Sequence, residues 1–410
     1  MDGIKQASEQ SRHGLRILLL SGITATFAAA APAMAMPVLF AEIAEDLGLT
    51  LVQIGAIWGT ASFAGLFTSL LGGVVGDRFG ARRTLSVVCL LVGLAGASRG
   101  LSNGLASMTV TVFATGLLTA AIPMNLHKVC AMWYSGKRLG KANAVVSGGM
   151  AFGFVLGSLA SATLLSPWLG GWRHVLYLYG GLTVLLSIPW AFMHSAPRET
   201  SEASGAHNTP SIRQALAHVA HLRVVWVLGI ALLGIGGGIR GLLGYLPLYL
   251  RDIGWAAGLA DGALAGFHGI SLLVVFPLAM LSDRVRSRTR VLIAAAATTA
   301  CGIGLLSVVD GVAIWIAVLL AGAVRDGFMS VFMTTLTEVE GVGAKYAGTA
   351  LGLAMTLSRI GGLIAPPLGN SLAVYGPRTP FLLWAGMAVL GLAMLSLLGR
   401  EAGPRKPRFV

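Results

Sequence analysis

Twelve apolar runs, each long enough to cross a lipid bilayer as a helix, constrain this chain more than any motif in it. They occupy residues 17–40, 52–75, 82–101, 107–133, 140–165, 173–194, 223–250, 258–281, 290–309, 312–337, 346–374 and 379–400. The hydrocarbon core of a bilayer takes about 20 helical residues. The runs are too long for barrel strands and do not alternate as such strands do. Only 11% of residues are charged and 55% are hydrophobic, so a water-soluble fold would leave large apolar patches exposed. These features exclude a soluble enzyme, a disordered protein and a disulfide scaffold. They predict an all-α membrane protein whose solvent is the lipid bilayer. Cys89, Cys130 and Cys301 each fall in an apolar run with no CxxC spacing and are expected to be small buried hydrophobes. The polar first sixteen residues, followed by a long apolar run, predict no cleavable signal.

The charge is unbalanced, 29 Lys+Arg against 16 Asp+Glu. In a soluble chain that excess would point to nucleic acid. Here its distribution predicts topology, and no nucleic-acid partner is expected. With both termini in the cytoplasm, 21 basic residues fall in inside segments, four (Arg99, Arg173, Arg251, Arg378) in outside loops and four (Lys128, Arg240, Arg325, Arg359) within spans. Positive charge collects on the cytoplasmic side, so a multi-pass inner (plasma) membrane protein with cytoplasmic termini is expected. Glu42, Glu45, Asp46, Asp252, Asp261 and Asp310 fall in the outer loops on this scheme. The longest polar stretch, Ser195 to Leu222, divides the runs six and six. The expected organisation is an N-terminal six-helix bundle (1–194), a cytoplasmic linker (195–222) and a C-terminal six-helix bundle (223–410).

Two loops repeat. Gly73-Val-Val-Gly-Asp77-Arg78-Phe-Gly80-Ala-Arg82-Arg83 follows the second run, and Leu281-Ser-Asp283-Arg284-Val-Arg286-Ser-Arg288 follows the eighth. Their aspartates are 206 residues apart, half the chain, as a duplicated half predicts. The first loop resembles the signature between helices two and three of the major facilitator superfamily, G-x-x-x-D-R-x-G-R-R, with Ala81 in place of one basic residue. The resemblance implies twelve helices in two pseudo-symmetric six-helix bundles and transport by alternating access. It also implies a gating latch built from Asp77, Arg78, Arg82, Arg83, Asp283 and Arg284. Helix ends carry partial charges, so Asp77 can accept hydrogen bonds at a neighbouring helix N-terminus. The arginines can clamp an acid or a helix end of the other half. The competing reading is that these arginines only enforce topology.

A charge inside a span is costly and is a functional candidate by default. In the resembled fold, helices one, four, seven and ten line the central cavity, and Lys128, Arg240 and Arg325 fall on that set. Arg325 precedes Glu338 by thirteen residues, about 20 Å along a helix, which is near mid-membrane. Arg240 lies seventeen residues past Arg223, beyond the middle. Lys128 is five residues from Trp133, about 7 Å, and can snorkel to the interface. Asp326 is a partner for Arg325, although adjacent helical side chains diverge by about 100°, or for Arg240 across the bundle. Arg359 reads as an interfacial anchor at the start of the eleventh helix. Guanidinium forks suit carboxylates, so a small organic anion bound between Arg240 and Arg325 is expected, with Lys128, Asn125 and Tyr245 as further binding candidates. Thr24, Thr26 and Thr334 are weaker polar candidates. Asp326, His268 and His127 are the candidates for coupling to a proton. No His or Cys set has metal spacing, so no metal or other cofactor is expected, and a monomer is.

Gly148-Gly149-Met-Ala-Phe-Gly153-Phe-Val-Leu-Gly157 predicts close helix packing. Gly361-Gly362 with Pro366-Pro367 predicts a bendable eleventh helix, and Gly234-Ile-Gly236-Gly237-Gly238 a flexible point in the seventh. The runs Pro123-Met-Asn125-Leu-His127-Lys128, Lys137-Arg138-Leu-Gly140-Lys-Ala-Asn143 and Gly170-Gly171-Trp172-Arg173 look like those of cyanate-permease-like and organic-anion carriers, though many branches share them. An exporter of hydrophobic or anionic drugs is the alternative within transport. A non-transporting sensor is the alternative from another class, disfavoured by tails of about sixteen and ten residues. A membrane enzyme is not expected, since no span carries a nucleophile and base together.

Overall fold

The computed structural model describes residues 2–193, 212–285 and 287–401. Residues 194–211 of the expected linker lie outside them. Among the described residues the chain is all helix, and helices occupy all twelve expected positions. We label them α1 (His13–Leu47), α2 (Leu51–Phe79), α3 (Ala81–Ser98), α4 (Leu105–Trp133), α5 (Arg138–Leu169), α6 (Trp172–Phe192), α7 (Arg223–Asp252), α8 (Ala257–Arg284), α9 (Arg288–Leu305), α10 (Ala313–Thr337), α11 (Gly343–Ser371) and α12 (Thr379–Glu401). Eleven are long and apolar enough to span a bilayer. The exception is α9, whose 18 residues begin Arg288-Thr-Arg290 and so lose hydropathy at one end.

Local signals set several boundaries. Thr50 and Gln53 form a reciprocal capping box at the start of α2, satisfying two otherwise unpaired backbone N–H groups. Gly48 and Gly170 take positive φ (61° and 86°) at the ends of α1 and α5, where a side chain would be strained. Within α1 and α5, six- and five-residue π-turns (Ala25–Ala30, Ser161–Leu165) interrupt the α pattern.

The chain divides into two compact units, Met1–His207 with Gly254–Ala265, and Asn208–Ile253 with Gly266–Val410. The first turns of α8 thus group with the N-terminal unit rather than with the rest of their helix. In that unit α1 packs along α5 and α3 along α6; in the second, α7 packs along α11 and α9 along α12. A shift of six helices superposes these pairings, as the repeated loops predict.

Close seams follow the glycines. At Gly149 and Gly153 a Cβ would lie 2.5 Å from the Gly22 carbonyl oxygen and 2.8 Å from that of Thr26, so α5 meets α1 backbone to backbone. Thr26 Oγ1 donates to the Gly149 carbonyl at 2.9 Å across the same seam. Trp190 on α6 is fully buried and donates its indole N–H to Thr24 Oγ1 at 3.0 Å. Thr24 and Thr26 are therefore packing residues of the first unit. In the second unit Trp384, near the start of α12, donates its indole N–H to the Ala365 carbonyl at 2.8 Å. The Gly234–Gly238 segment is not a loose point. A Cβ at Gly237 would meet Met387 Cε at 2.6 Å, and one at Gly238 the Trp384 carbonyl at 2.7 Å, so α7 is wedged against α12.

Three sequence expectations change. Arg99 is 5% exposed and donates to the Gly96 carbonyl, so it is buried rather than on the outer surface. Asp261 is wholly buried, four residues inside α8, and accepts a 2.6 Å hydrogen bond from Thr163 on the π-turn of α5. Cys301 is exposed on α9, unlike buried Cys89 and Cys130. Leu94, Val110, Phe152, Leu273 and Ile316 are also exposed. An apolar rim of this kind suits lipid rather than water.

Candidate functional site

The helix α10 breaks at Val324 into Ala313–Ala323 and Arg325–Thr337. No proline causes this. The Asp326 N–H, which would bond the carbonyl four residues back, instead donates to Ser271 Oγ of α8 at 3.1 Å. Ser271 Oγ in turn donates to Asp326 Oδ2 at 2.8 Å. A fully buried serine of another helix thus caps the half-helix where Val324 has no side-chain cap. The pseudo-equivalent helix α4 breaks at Ala120, 204 residues earlier, into Leu105–Thr119 and Ala121–Trp133. There the cause is local, because Pro123 has no N–H to give the Thr119 carbonyl. Both second halves are 13 residues long. A half-helix N-terminus presents positive potential, so Ala121–Trp133 in the first unit and Arg325–Thr337 in the second each offer one.

Arg325 and Asp326 open that half-helix. Arg325 Nη1 lies 3.2 Å from Asp326 Oδ1, a close charge contact rather than an aligned hydrogen bond. The sequence left Asp326 available to Arg240 as well; the ion pair formed is with its neighbour, because the first turn of a helix lets adjacent side chains fold back over its end. His268 is one turn before Ser271 on α8 and buried, and Arg325 bears on it electrostatically.

Arg240 on α7 is half-buried, and the charges of Arg359 and then Arg325 act on it. Arg359 is not the interfacial anchor expected. It lies sixteen residues into α11, about 24 Å from that helix's start. The seam that brings it there is tight: a Cβ at Gly236 would lie 2.6 Å from Ser358 Oγ, and one at Gly237 3.0 Å from the Gly361 carbonyl. Arg240, His268, Ser271, Arg325, Asp326 and Arg359 all belong to the second unit.

Other expected residues go elsewhere. Tyr245 is 2% exposed, stacks within an aromatic group of Tyr249, Phe381 and Trp384, and donates its hydroxyl to the Pro377 carbonyl at 3.1 Å. Asn125, also 2% exposed, gives its amide to the Ala121 carbonyl of its own helix at 2.9 Å. Both are packing residues rather than open polar groups. His127 Nδ1 meets Asn143 Oδ1 at 3.0 Å, and Lys128 is half-buried beside it; both lie in the first unit.

Of the latch residues, the side chains of Asp77, Arg78 and Asp283 lie outside the described residues. Arg83 and Arg284 are exposed. Arg82 donates to the Met193 carbonyl just past the end of α6. It clamps a helix end, as expected, but of its own bundle. The reason is antiparallel packing, which sets the first turn of α3 beside the last turn of α6. Arg288, at the start of α9, instead pairs with Glu338 just past the end of α10, a different helix from the counterpart of α6.

The family profile described as Major Facilitator Superfamily matches residues 18–366. The 3-(3-hydroxy-phenyl)propionate transporter of Escherichia coli (strain K12) is 24% identical, over 88% of this chain and 88% of its own length. The hexuronate transporter of Bacillus subtilis (strain 168) is 24% identical over 88% of this chain and 90% of its own. In structure the chain resembles the nucleoside transporter NupG (D323A mutant), with a TM-score of 0.78 at 13% identity, covering 93% of this chain and 99% of that one. At that identity the likeness is one of fold.

Proposed function

Because this chain belongs to the Major Facilitator Superfamily, and is a multi-pass membrane transporter, we propose that it moves a small organic anion, a carboxylate, by alternating access coupled to a proton. The observation that carries this reading is the electrostatic coupling of Arg240 with Arg359 and Arg325, beside the interrupted α10 where Arg325 pairs with Asp326. Guanidinium groups and a half-helix N-terminus both favour an anion. The relatives named above, transporters of a phenylpropionate and of hexuronates, support a carboxylate. Lys128 is the basic candidate on the pseudo-equivalent half-helix of α4. The test is thermal stability of the purified protein with a panel of small carboxylates, neutral sugars and organic cations. A bound ligand raises stability in proportion to the logarithm of its concentration over Kd. A carboxylate should raise the Tm; stabilisation by neutral or cationic compounds alone would overturn the anion reading.

Asp326 is the group we assign to proton coupling, with His268 second and His127, tied to Asn143, third. A proton on Asp326 removes its hold on Arg325 and frees that guanidinium for substrate. Anion and proton then favour each other's binding, and such linkage is reciprocal. In proteoliposomes an inward proton gradient should drive carboxylate accumulation by the parent. Asp326→Asn should keep carboxylate exchange at equal pH and lose the gradient-driven accumulation. Unchanged accumulation in this variant would move the assignment to His268.

The 21-to-4 bias of basic residues supports cytoplasmic termini and an inner-membrane location. An impermeant thiol reagent should label Asn103→Cys in intact cells and leave Lys141→Cys untouched until the cells are opened; the reverse pattern would invert the topology. Arg82 and Arg288, each tying helix ends within its unit, are the positions from which the loop signature biases the two access states.

A further inference from the structure

We propose that Arg99 holds a monoatomic anion, a halide, at the end of α3 remote from Arg82 and Arg83, in a site of the first unit that is independent of the carboxylate reading. Burial is the first reason. Arg99 is 5% exposed, and a guanidinium stays charged when it leaves water. Among the described residues its one partner is the Gly96 carbonyl, which accepts from Nε at 3.1 Å. The guanidinium has five N–H donors, so the others are left to a group from outside the chain. The acids at the outer ends of this unit are engaged elsewhere or lie on the surface. Asp46 pairs with Arg173 at 2.7 Å, Glu42 accepts from Ser166, Asp261 accepts from Thr163, and Glu45 is exposed. The last carbonyls of α3 supply about half a negative charge. A full counter-charge is still missing, and an uncompensated buried charge is costly.

Geometry sets the size of the missing partner. On both sides of Gly96, α3 and α6 are in close contact. A Cβ at Gly93 would lie 2.7 Å from the Gly180 carbonyl oxygen, and one at Gly100 would lie 2.5 Å from Tyr177 Cε1 and 3.0 Å from the Arg173 carbonyl oxygen. Gly96, between them, differs. Its Cβ would meet Arg99 Nη2 at 3.6 Å and the Gly180 Cα at 3.9 Å. These are ordinary van der Waals separations, so the seam opens by about one heavy atom beside the guanidinium. A chloride or bromide ion suits a space of that size, whereas a carboxylate or phosphate group brings several heavy atoms. Arg173, the other arginine at this end, is already matched. Its Nη1 donates to the Gly100 and Ser102 carbonyls at 2.8 and 2.7 Å, and Asp46 balances its charge. The surplus is the single charge of Arg99, which a monoanion neutralises.

The test reads the thermal stability of the purified full-length protein while chloride replaces gluconate at constant ionic strength. A ligand of the folded state stabilises according to its concentration over Kd. The Tm should rise with chloride, bromide should substitute for it, and phosphate should not. Arg99→Gln should lose the rise. Gly96→Ala should lose it too, because the added methyl fits at ordinary contact and fills the space while the charge stays in place. That variant keeps the proposal open to refutation even where loss of Arg99 impairs folding. Arg325→Gln, in the second unit, should keep the rise. A parent indifferent to both halides, or a rise that persists in either Arg99→Gln or Gly96→Ala, overturns the proposal. So does a rise lost in Arg325→Gln alone, which would place the halide with the proposed substrate. A rise driven by phosphate and by neither halide would overturn the monoatomic class. The carboxylate panel is read separately, so the failure of one reading leaves the other standing.

Discussion

On the proposed anion reading, replacing Arg325 by glutamine should abolish carboxylate transport and carboxylate-induced stabilisation, while the protein still folds in the membrane. Two losses combine in this variant. The guanidinium at the half-helix N-terminus goes, and Asp326 loses the cation 3.2 Å from its Oδ1. Truncating one member of a desolvated charge pair costs about 2–5 kcal/mol, which is roughly 30-fold to several thousandfold in affinity. Both side chains keep partial exposure, 24% for Arg325 and 36% for Asp326, so the lower part of that range applies. The fold should survive because Asp326 keeps its reciprocal hydrogen bonds with Ser271. Arg325→Lys should restore part of the binding, as a point charge does without the fork geometry. Uptake and thermal-shift titration on the same preparations check this, and parental transport by Arg325→Gln would remove Arg325 from the site.

Gly361→Ala has the second large effect, and it acts through packing. A Cβ there would overlap the backbone of Leu233, meeting its carbonyl oxygen and, at 3.0 Å, its carbonyl carbon. Backbone cannot swing aside as a long side chain can, so α7 and α11 must separate. Overpacking of this kind costs about 1–3 kcal/mol. The same separation moves Arg359 away from Arg240, since both hang on that seam. The expected result is a lower Tm in detergent together with weaker anion binding. Gly348→Ala on the same helix has open space at its Cβ and should be silent in both assays. A Gly361→Ala protein as stable as the parent would show that the two helices are free to part at this seam.

Some residues of the site are legible in the sequence itself. Arg240 and Arg325 stand out because charged side chains inside apolar runs are rare and expensive. The break in α4 is legible in Pro123, which lacks the N–H the ladder needs. Arg359 carries the same depth signal, thirteen residues into the run 346–374, and counting from that run's start would find it. The break in α10 has no local signal. Its cause is Ser271, 55 residues away, and nothing sets that serine apart from others in the spans. Tyr245 and Asn125 mislead for the converse reason. A polar side chain in a span looks available until its partner is known, here the carbonyls of Pro377 and Ala121.

Hydropathy alone establishes that the chain is a bundle of spanning helices, and the repeated Asp-Arg loops establish its two related halves. Both are properties of composition along the chain, so no contact is needed to read them. The partner of each polar group is another matter. The Thr26–Gly149, Arg82–Met193 and Ser271–Asp326 contacts join residues 123, 111 and 55 positions apart. Such pairings depend on which helix faces meet, and in lipid that choice rests on glycine seams and interhelical hydrogen bonds rather than on a difference in hydrophobicity between faces. Tertiary packing therefore decided that Asp326 pairs with Arg325, that Arg82 closes its own bundle, and that the charge of Arg359 acts on Arg240.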